Sequence, residues 1–368
     1  MTSRIIYVVG TRPEIIRSAG VIEAMSADPD IDLTVVHSGQ HYDYLMDRVF
    51  FEGLGVPYPE VNLDVGSGSA ARQTAGILES FEGVLERLHP GLVAVFGDTN
   101  SSLATALCAA RFPVPVAHLE AGCREWELDV PEEINRRLID HCSRLLLAVS
   151  PGCVANLEAE HAPGDVFNTG DPLYGVYLEH FDRERASGTI AGMDLEIGGY
   201  AVLTVHRQGN VDDPERLLDI LSTLERSGVL FVLPVHPRTS RVLEDAGYRP
   251  GAGLRLIEPL DYEGMLDLLS GAVLAVTDSG GLQKEAFWSG VPCVTLREHT
   301  AWHETVELGA NFLAGRRSER LAEAVEHVLA HRDEIASRIE GADNPYYRPD
   351  TTAETVRLLK EYAGKPWD

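Results

Sequence analysis

The chain has 368 residues, 44% of them hydrophobic and 7% aromatic, which is too long for one simple core and suits two α/β domains. Its 31 basic residues against 57 acidic ones give a net charge of −26, which argues against non-specific nucleic-acid binding, since that needs a basic stripe. No run of about 18 apolar residues occurs, so no membrane span is expected.

Strand-like runs alternate with helical patterns along the whole chain. In the first half the strands are expected at 5–9, 33–37, 92–96, 114–118, 145–149 and 166–169, with helices near 13–26, 69–88, 100–111, 132–142 and 151–160. The second half repeats the scheme, with strands at 200–205, 230–235, 254–257, 272–277 and 292–296 and helices near 213–227, 238–246, 261–270, 281–289 and 317–331. Continuous apolar strands joined by helices predict parallel sheets covered on both faces, hence an α/β fold of two Rossmann-like doubly wound domains. The boundary is expected near 172, giving an N-terminal domain over 1–172 and a C-terminal domain over 173–349. The charged, Gly-containing stretch 181–199 reads as the connection, and a terminal helix in 350–368 is expected to pack back on the first domain. Ligands of open α/β sheets bind beyond the carboxyl ends of the strands, so the two domains are expected to face each other across a cleft.

The strand ends carry the polar motifs. Gly10-Thr11-Arg12-Pro13-Glu14 follows the first strand; Pro13 suits the start of a helix, and Arg12 can serve an anion at the positive end of that helix or be an ordinary solvated arginine. The motif lacks GxGxxG, so no dinucleotide is implied. Gly66-Ser67-Gly68-Ser69 reads as a flexible loop. Asp98 and Glu120 close two neighbouring strands, and Glu132 and Glu133 open a helix soon after. Carboxylates gathered this way can separate into acid and base and move a proton beside an electron-poor carbon; the plainer role of each is a helix cap or a structural hydrogen bond. His206-Arg207 and His236 end two successive strands of the second half; His206 and Arg207 could neutralise a leaving diphosphate, although a single strand-end histidine is more often structural. Thr277-Asp278-Ser279-Gly280-Gly281-Leu282-Gln283-Lys284-Glu285 places glycine amides at a helix N-terminus, an anion cradle, with Glu285 one turn on and able to accept ribose hydroxyls.

There is no HExxH, DxD or Cys/His cluster, so neither a metal nor another cofactor is expected. The five cysteines have no zinc spacing, and the first residues lack the parts of a signal peptide, which together suggest reduced thiols in a cytoplasmic protein.

In order, GTRPE, GDTNS, HLEAG, VPEEINR, TVHR, PVHP and TDSGGLQKEA resemble the bacterial UDP-N-acetylglucosamine 2-epimerase family, and the resemblance runs from Gly10 to about Pro345. It implies a GT-B-like architecture, a UDP-sugar substrate, no cofactor and, by analogy, a homodimer. The implied reaction eliminates UDP to a 2-acetamidoglucal and adds it back with C2 inverted; hydrolysing members release the free sugar instead, and a non-catalytic nucleotide-sugar-binding protein could share the frame. On the matching positions, Asp98, Glu120 and Glu132 resemble the acid and base carboxylates and His206 the residue that helps UDP leave. Arg12, Ser279 and Gly280 resemble phosphate contacts and Glu285 a ribose contact, while Arg17, Glu133, Arg136, Arg207, His236 and Gly281 complete the expected substrate-binding set. Arg17 stands where the family often has lysine. Gln208-Gly209-Asn210 lacks the glutamate usual after the histidine and arginine, and Cys123 replaces a common leucine. The short link from HLEAG to VPEEINR is similar to that of members acting on modified sugars such as diacetamido uronic acids. Gln40-His41 is retained from allosterically activated members, with Asp43 where a second glutamine is frequent.

Overall fold

The computed structural model describes residues 2–39, 56–66 and 68–365. The Gln40-His41 motif, Asp43 and Ser67 lie outside them. Two compact units form, one of Met1–Glu179 with Pro345–Asp368 and the other of His180–Asn344.

The first unit holds a parallel sheet of β1 (Ser3–Val9), β2 (Ile31–His37), β3 (Val61–Asn62), β4 (Leu92–Phe96), β5 (Val116–Ala121), β6 (Leu145–Ala148) and β7 (Asp165–Asn168), in the order β3-β2-β1-β4-β5-β6-β7. The second holds β8 (Tyr200–Thr204), β9 (Leu230–Pro234), β10 (Leu254–Ile257), β11 (Ala275–Thr277), β12 (Cys293–Thr295) and β13 (Asn311–Leu313), in the order β10-β9-β8-β11-β12-β13. Every strand pair is parallel, as the unbroken apolar runs require. Both sheets are Rossmann-like, and in each the chain reverses its direction of winding beside the first strand: between β1 and β4, and between β8 and β11. Neighbouring loops diverge at such a switch point and leave a crevice at the strand ends. Gly10–Pro13 and Gly97–Asn100 flank the first switch point, and Val205–Arg207 and Asp278–Gly280 flank the second.

Several features depart from the expected pattern. The stretch read as a connection contains a helix, Arg183–Gly192: Asp182 caps it by accepting the Arg185 amide at 2.7 Å, and Ala186 and Ile190, four apart, are buried. Its charged composition masks that short apolar stripe, while Arg185 pairs with the buried Asp267 at 3.0 Å. A helix over Pro172–His180 begins at the expected boundary and continues the first unit, so the units divide at Glu179/His180. The last long helix, Ser318–Glu340, runs past 331; His331 has non-helical φ/ψ there, so the apolar period breaks at a kink rather than at an end. The strand expected at 114–118 lies at Val116–Ala121, because Pro113 and Pro115 cannot donate to a ladder. That two-residue displacement brings Glu120 into the strand.

The terminal helix Thr351–Tyr362 belongs to the first unit, where Lys360 pairs with Asp28 at 2.8 Å and the Tyr362 hydroxyl donates to Asp165 at 2.6 Å. Among the described residues no helix is long and apolar enough to cross a membrane.

Candidate active site

In the first unit the acids stand at the ends of adjacent strands, each beside an arginine. Asp98 follows β4, and its Oδ2 accepts from Arg136 Nε at 2.8 Å and Nη2 at 2.5 Å. Glu120 Oε2 accepts from Arg17 Nη1 at 2.8 Å. The same oxygen would lie 3.2 Å from a Cβ added at Gly97, so the Glu120 carboxylate sits against the turn that carries Asp98. The arrangement is of two acid–arginine pairs side by side, rather than of bare carboxylates repelling one another. Glu120 has φ +68°, left-handed for a residue with a Cβ, and the register between β5 and β6 shifts between Leu119 and Ala121.

Glu132 is in the first turn of the helix Pro131–Cys142, one turn before Arg136, half-buried and without a side-chain hydrogen bond among the described residues. Glu133, expected among the substrate contacts, is fully buried. Its Oε2 accepts from the Glu125 amide at 2.9 Å and from Arg136 at 3.3 Å, and its Oε1 from Arg137 at 3.1 Å. It holds the helix start and the preceding loop together. Arg136 is the hub, reaching Asp98, Glu133 and Glu125, the last at 3.2 Å. Asn135 braces the same turn by donating to the Asp98 carbonyl at 2.9 Å.

Arg12 opens the helix Arg12–Ala27 and is half-buried, behind Gly10 and Thr11. Two residues on, Glu14 is the organiser that the sequence did not single out. Its buried carboxylate accepts from the Gly10 amide at 2.8 Å and from the hydroxyls of Thr11 at 3.1 Å, Thr99 at 2.6 Å and Ser102 at 3.0 Å. It thereby ties the loop after β1 to the loop after β4. Burial pushes its carboxyl above the usual range, and the Thr99, Gly10, Ser102 and Thr11 bonds oppose this only in part. An acid in the first turn of a helix was the only signal in the sequence, and it suggests a dipole effect rather than a bridge.

Behind these groups lies a largely buried polar chain. His118 in β5 faces the Gly97 carbonyl through Nε2 at 2.9 Å and Asp140 through Nδ1 at 2.6 Å. Asp140 also accepts from Arg124 at 2.7 Å, and Arg124 forks onto Glu160 at 3.0 and 2.7 Å. Cys123 and Cys153 are buried with sulfurs 3.2 Å apart, an arrangement whose hydrogen bond, with burial, pushes the Cys123 thiol well up. Gly122 between these groups has φ +81°, and a Cβ there would lie 2.2 Å from the Cys153 carbonyl oxygen. Gly122→Ala is therefore expected to cost about 2–4 kcal/mol, strain and overpacking together. Urea unfolding checks this, and a loss below about 0.5 kcal/mol would contradict so close an approach.

In the second unit the glycine turn opens a helix. Ser279 caps the helix Gly280–Trp288, its Oγ accepting from the Leu282 amide at 3.4 Å, and Gly280 and Gly281 occupy the first turn, where amides have no partner within the helix. Glu285 is buried one turn on. Asp278 directs the neighbouring loop: it is fully buried and accepts the amides of His206 at 3.1 Å and Arg207 at 3.0 Å and the side-chain amide of Asn210 at 3.0 Å. His206 Nδ1 lies 3.2 Å from the same carboxylate, with about half the side chain exposed, and Arg207 is half-buried beside it. His236 is exposed, and its Nδ1 accepts from the Arg238 amide at 3.2 Å, so it caps the helix Pro237–Asp245. Asp278 gave no separate signal in the sequence because its partners come from another strand.

Comparison with known proteins fits this geometry. The family model described as UDP-N-acetylglucosamine 2-epimerase matches residues 23–360. The UDP-N-acetylglucosamine 2-epimerase of Methanocaldococcus jannaschii is 38% identical, over 96% of this chain and 97% of its own. The UDP-2,3-diacetamido-2,3-dideoxy-D-glucuronate 2-epimerase of Pseudomonas aeruginosa is also 38% identical, over 89% of this chain and 92% of its own. A crystal structure of the M. jannaschii enzyme in complex with UDP-GlcNAc and UDP superposes with a TM-score of 0.86 at 36% identity, covering 97% of this chain and 99% of that one. The chain is an epimerase of GT-B-like fold and belongs to the UDP-N-acetylglucosamine 2-epimerase family.

Proposed function

We propose that this epimerase inverts C2 of a UDP-linked 2-acetamido sugar by elimination and re-addition. A carboxylate takes the C2 proton, the C1–O bond breaks with its electron pair going to UDP, and a C1=C2 double bond forms in a 2-acetamidoglucal. UDP adds back at C1 while a proton reaches the opposite face of C2. Asp98, Glu120 and Glu132 act as the acid and base groups, with Arg17 and Arg136 holding the first two. Arg12, Arg207, His236 and the amides from Ser279 to Gly281 take the phosphates, Glu285 the ribose, and His206 eases departure of UDP.

Two observations within the separate units carry this reading: the pair of arginine-matched carboxylates at the first unit's switch point, and the glycine turn at the helix N-terminus by the second unit's own switch point. Proton removal from carbon needs a positioned base, and departure of a diphosphate needs positive potential. The substrate is UDP-N-acetylglucosamine or a relative with an acetamido group at C3 and a carboxylate at C6, which the P. aeruginosa relative's substrate resembles. The five cysteines are all free thiols, which supports a cytoplasmic enzyme, and analogy with the family supports a homodimer.

The test is NMR of each UDP-sugar with the enzyme in deuterium oxide. Deuterium at C2 and a manno-configured product are expected. Absence of both with either sugar overturns the proposal, release of free sugar with UDP selects the hydrolysing reaction, and UDP binding without turnover selects a binding protein.

A further inference from the structure

We propose that Asp140 is the positioning residue for Glu120, a carboxylate that holds the reactive end of β5 in its irregular shape. The inference rests on the reading of Glu120 as a reacting group. Glu120 is held at φ +68°, and the ladder to β6 changes register across it. A side chain in the left-handed region relaxes to ordinary extended backbone unless its surroundings over-determine it. In a strand that relaxation moves the side chain toward the other face, since successive residues point to opposite sides.

Asp140 supplies the constraint from both sides of Glu120. On the buried face of the helix Pro131–Cys142, its Oδ1 lies 2.6 Å from Nδ1 of His118, two residues before Glu120. Its Oδ2 accepts from the amide of Gly122, two residues after, at 3.2 Å, and from Nη2 of Arg124 at 2.7 Å. The chain on either side of Glu120 is thus fastened to one rigid group. His118 carries the constraint to the other acid, because its Nε2 donates to the Gly97 carbonyl at 2.9 Å, immediately before Asp98.

Arg124 cannot swing away. It is fully buried, donates to the Cys123 carbonyl at 2.8 Å and forks onto Glu160 beyond the end of the helix Pro151–Ala159. His118 and Asp140 are fully buried as well, so neither meets substrate. Burial pushes the Asp140 carboxyl up, and the contacts with His118 and the guanidinium of Arg124 outweigh burial and hold it below the usual range. Asp140 therefore stays ionised and keeps both oxygens as acceptors.

The experiment uses the full chain with Asp140→Asn and Asp140→Glu. Turnover of the UDP-sugar is followed by NMR, UDP affinity by calorimetry, and the Glu120 side-chain carboxyl carbon by ¹³C NMR, assigned through its loss in Glu120→Gln. Both variants are expected to lower kcat on the order of tenfold to a hundredfold, the scale set by a small misplacement of a reacting group. KM and UDP affinity stay near wild type, because the nucleotide contacts are elsewhere, and the Glu120 resonance moves. A folded variant with wild-type kcat and an unmoved resonance overturns the proposal. Should neither variant fold, a wild-type crystal structure decides: Glu120 at positive φ with the Asp140–Gly122 bond present upholds it, and negative φ or a missing bond overturns it. Wild type without C2 exchange would instead sink the epimerase reading of the site, and the Glu120 resonance in the variants would still report whether Asp140 positions it.

Discussion

Asp98→Asn, Glu120→Gln and Glu132→Gln are each expected to cut turnover of the UDP-sugar by roughly 10²–10⁴-fold, the range associated with losing a general acid or base. The replacements keep shape and remove only the proton-exchanging oxygen. Arg136 can still hold an amide oxygen at position 98, and Arg17 one at position 120, so the folds of both loops survive. Apart from Arg12, the expected UDP-binding groups, among them Ser279 to Glu285, are built by a different unit. Affinity for UDP should accordingly change by less than about threefold, which makes the loss a transition-state effect rather than a binding one. Calorimetry with UDP and NMR turnover in the same samples separate the two. Full rates in all three variants would show that the proton is carried by other groups. Of the three, Glu132 is the sharpest test, because no partner among the described residues gives it a structural duty.

The second large effect is on stability. Arg136→Ala should destabilise the first unit by about 3–5 kcal/mol, the usual result of removing one member of a buried charge network. Arg136 bonds Asp98 twice and reaches Glu125 and Glu133, and its side chain is only 9% exposed. Truncation leaves three carboxylates facing one cavity, with only Arg137 still on Glu133. Calorimetric melting should show a drop of roughly 10 °C. Arg136→Lys should recover only part of it, since an ammonium cannot reproduce the planar fork on Asp98. A melting point unchanged by the alanine variant would mean that the carboxylates relax into solvent, which the full burial of Glu133 argues against. Turnover should fall as well, because Asp98 loses the partner that aims it.

The two sets of predictions divide the site into groups that act and groups that aim. Glu14, Asp140 and Asp278 share a design: each is a buried carboxylate whose oxygens collect amide, hydroxyl, ring or guanidinium donors from a second segment. None of them stood out in the sequence, because an aspartate that braces a turn and one that reacts have the same letter. What differs is whether donors from elsewhere in the chain converge on it.

Much else was written in the order of residues. Apolar runs such as Ile5–Val9 and Leu92–Phe96 specify strands of a parallel sheet because a buried strand needs both faces apolar, and this holds whatever the partner strand is. Ser279-Gly280-Gly281 specifies an anion turn because its chemistry is that of local backbone. Asp98, Glu120 and His206 could be singled out because strand ends are where open α/β sheets gather function. Short elements escaped detection. β3 and β13, with two and three residues, carry too little pattern, and Arg183–Gly192 hides its apolar stripe among charges.

By itself the sequence determined the alternation of strands and helices, the division into two doubly wound units, and the presence of acids and a glycine turn at strand ends, since these follow from local pattern; the strand orders and switch points came from the structure. Only the tertiary structure decided that Glu120 is left-handed, that Glu133 is a brace, and that Arg17 and Arg136 each take one acid. Those outcomes depend on groups as much as 103 positions apart in the chain, such as Arg17 and Glu120. Burial makes an unpaired charge costly wherever its partner comes from, so the pairing is set by packing and not by neighbourhood in the chain.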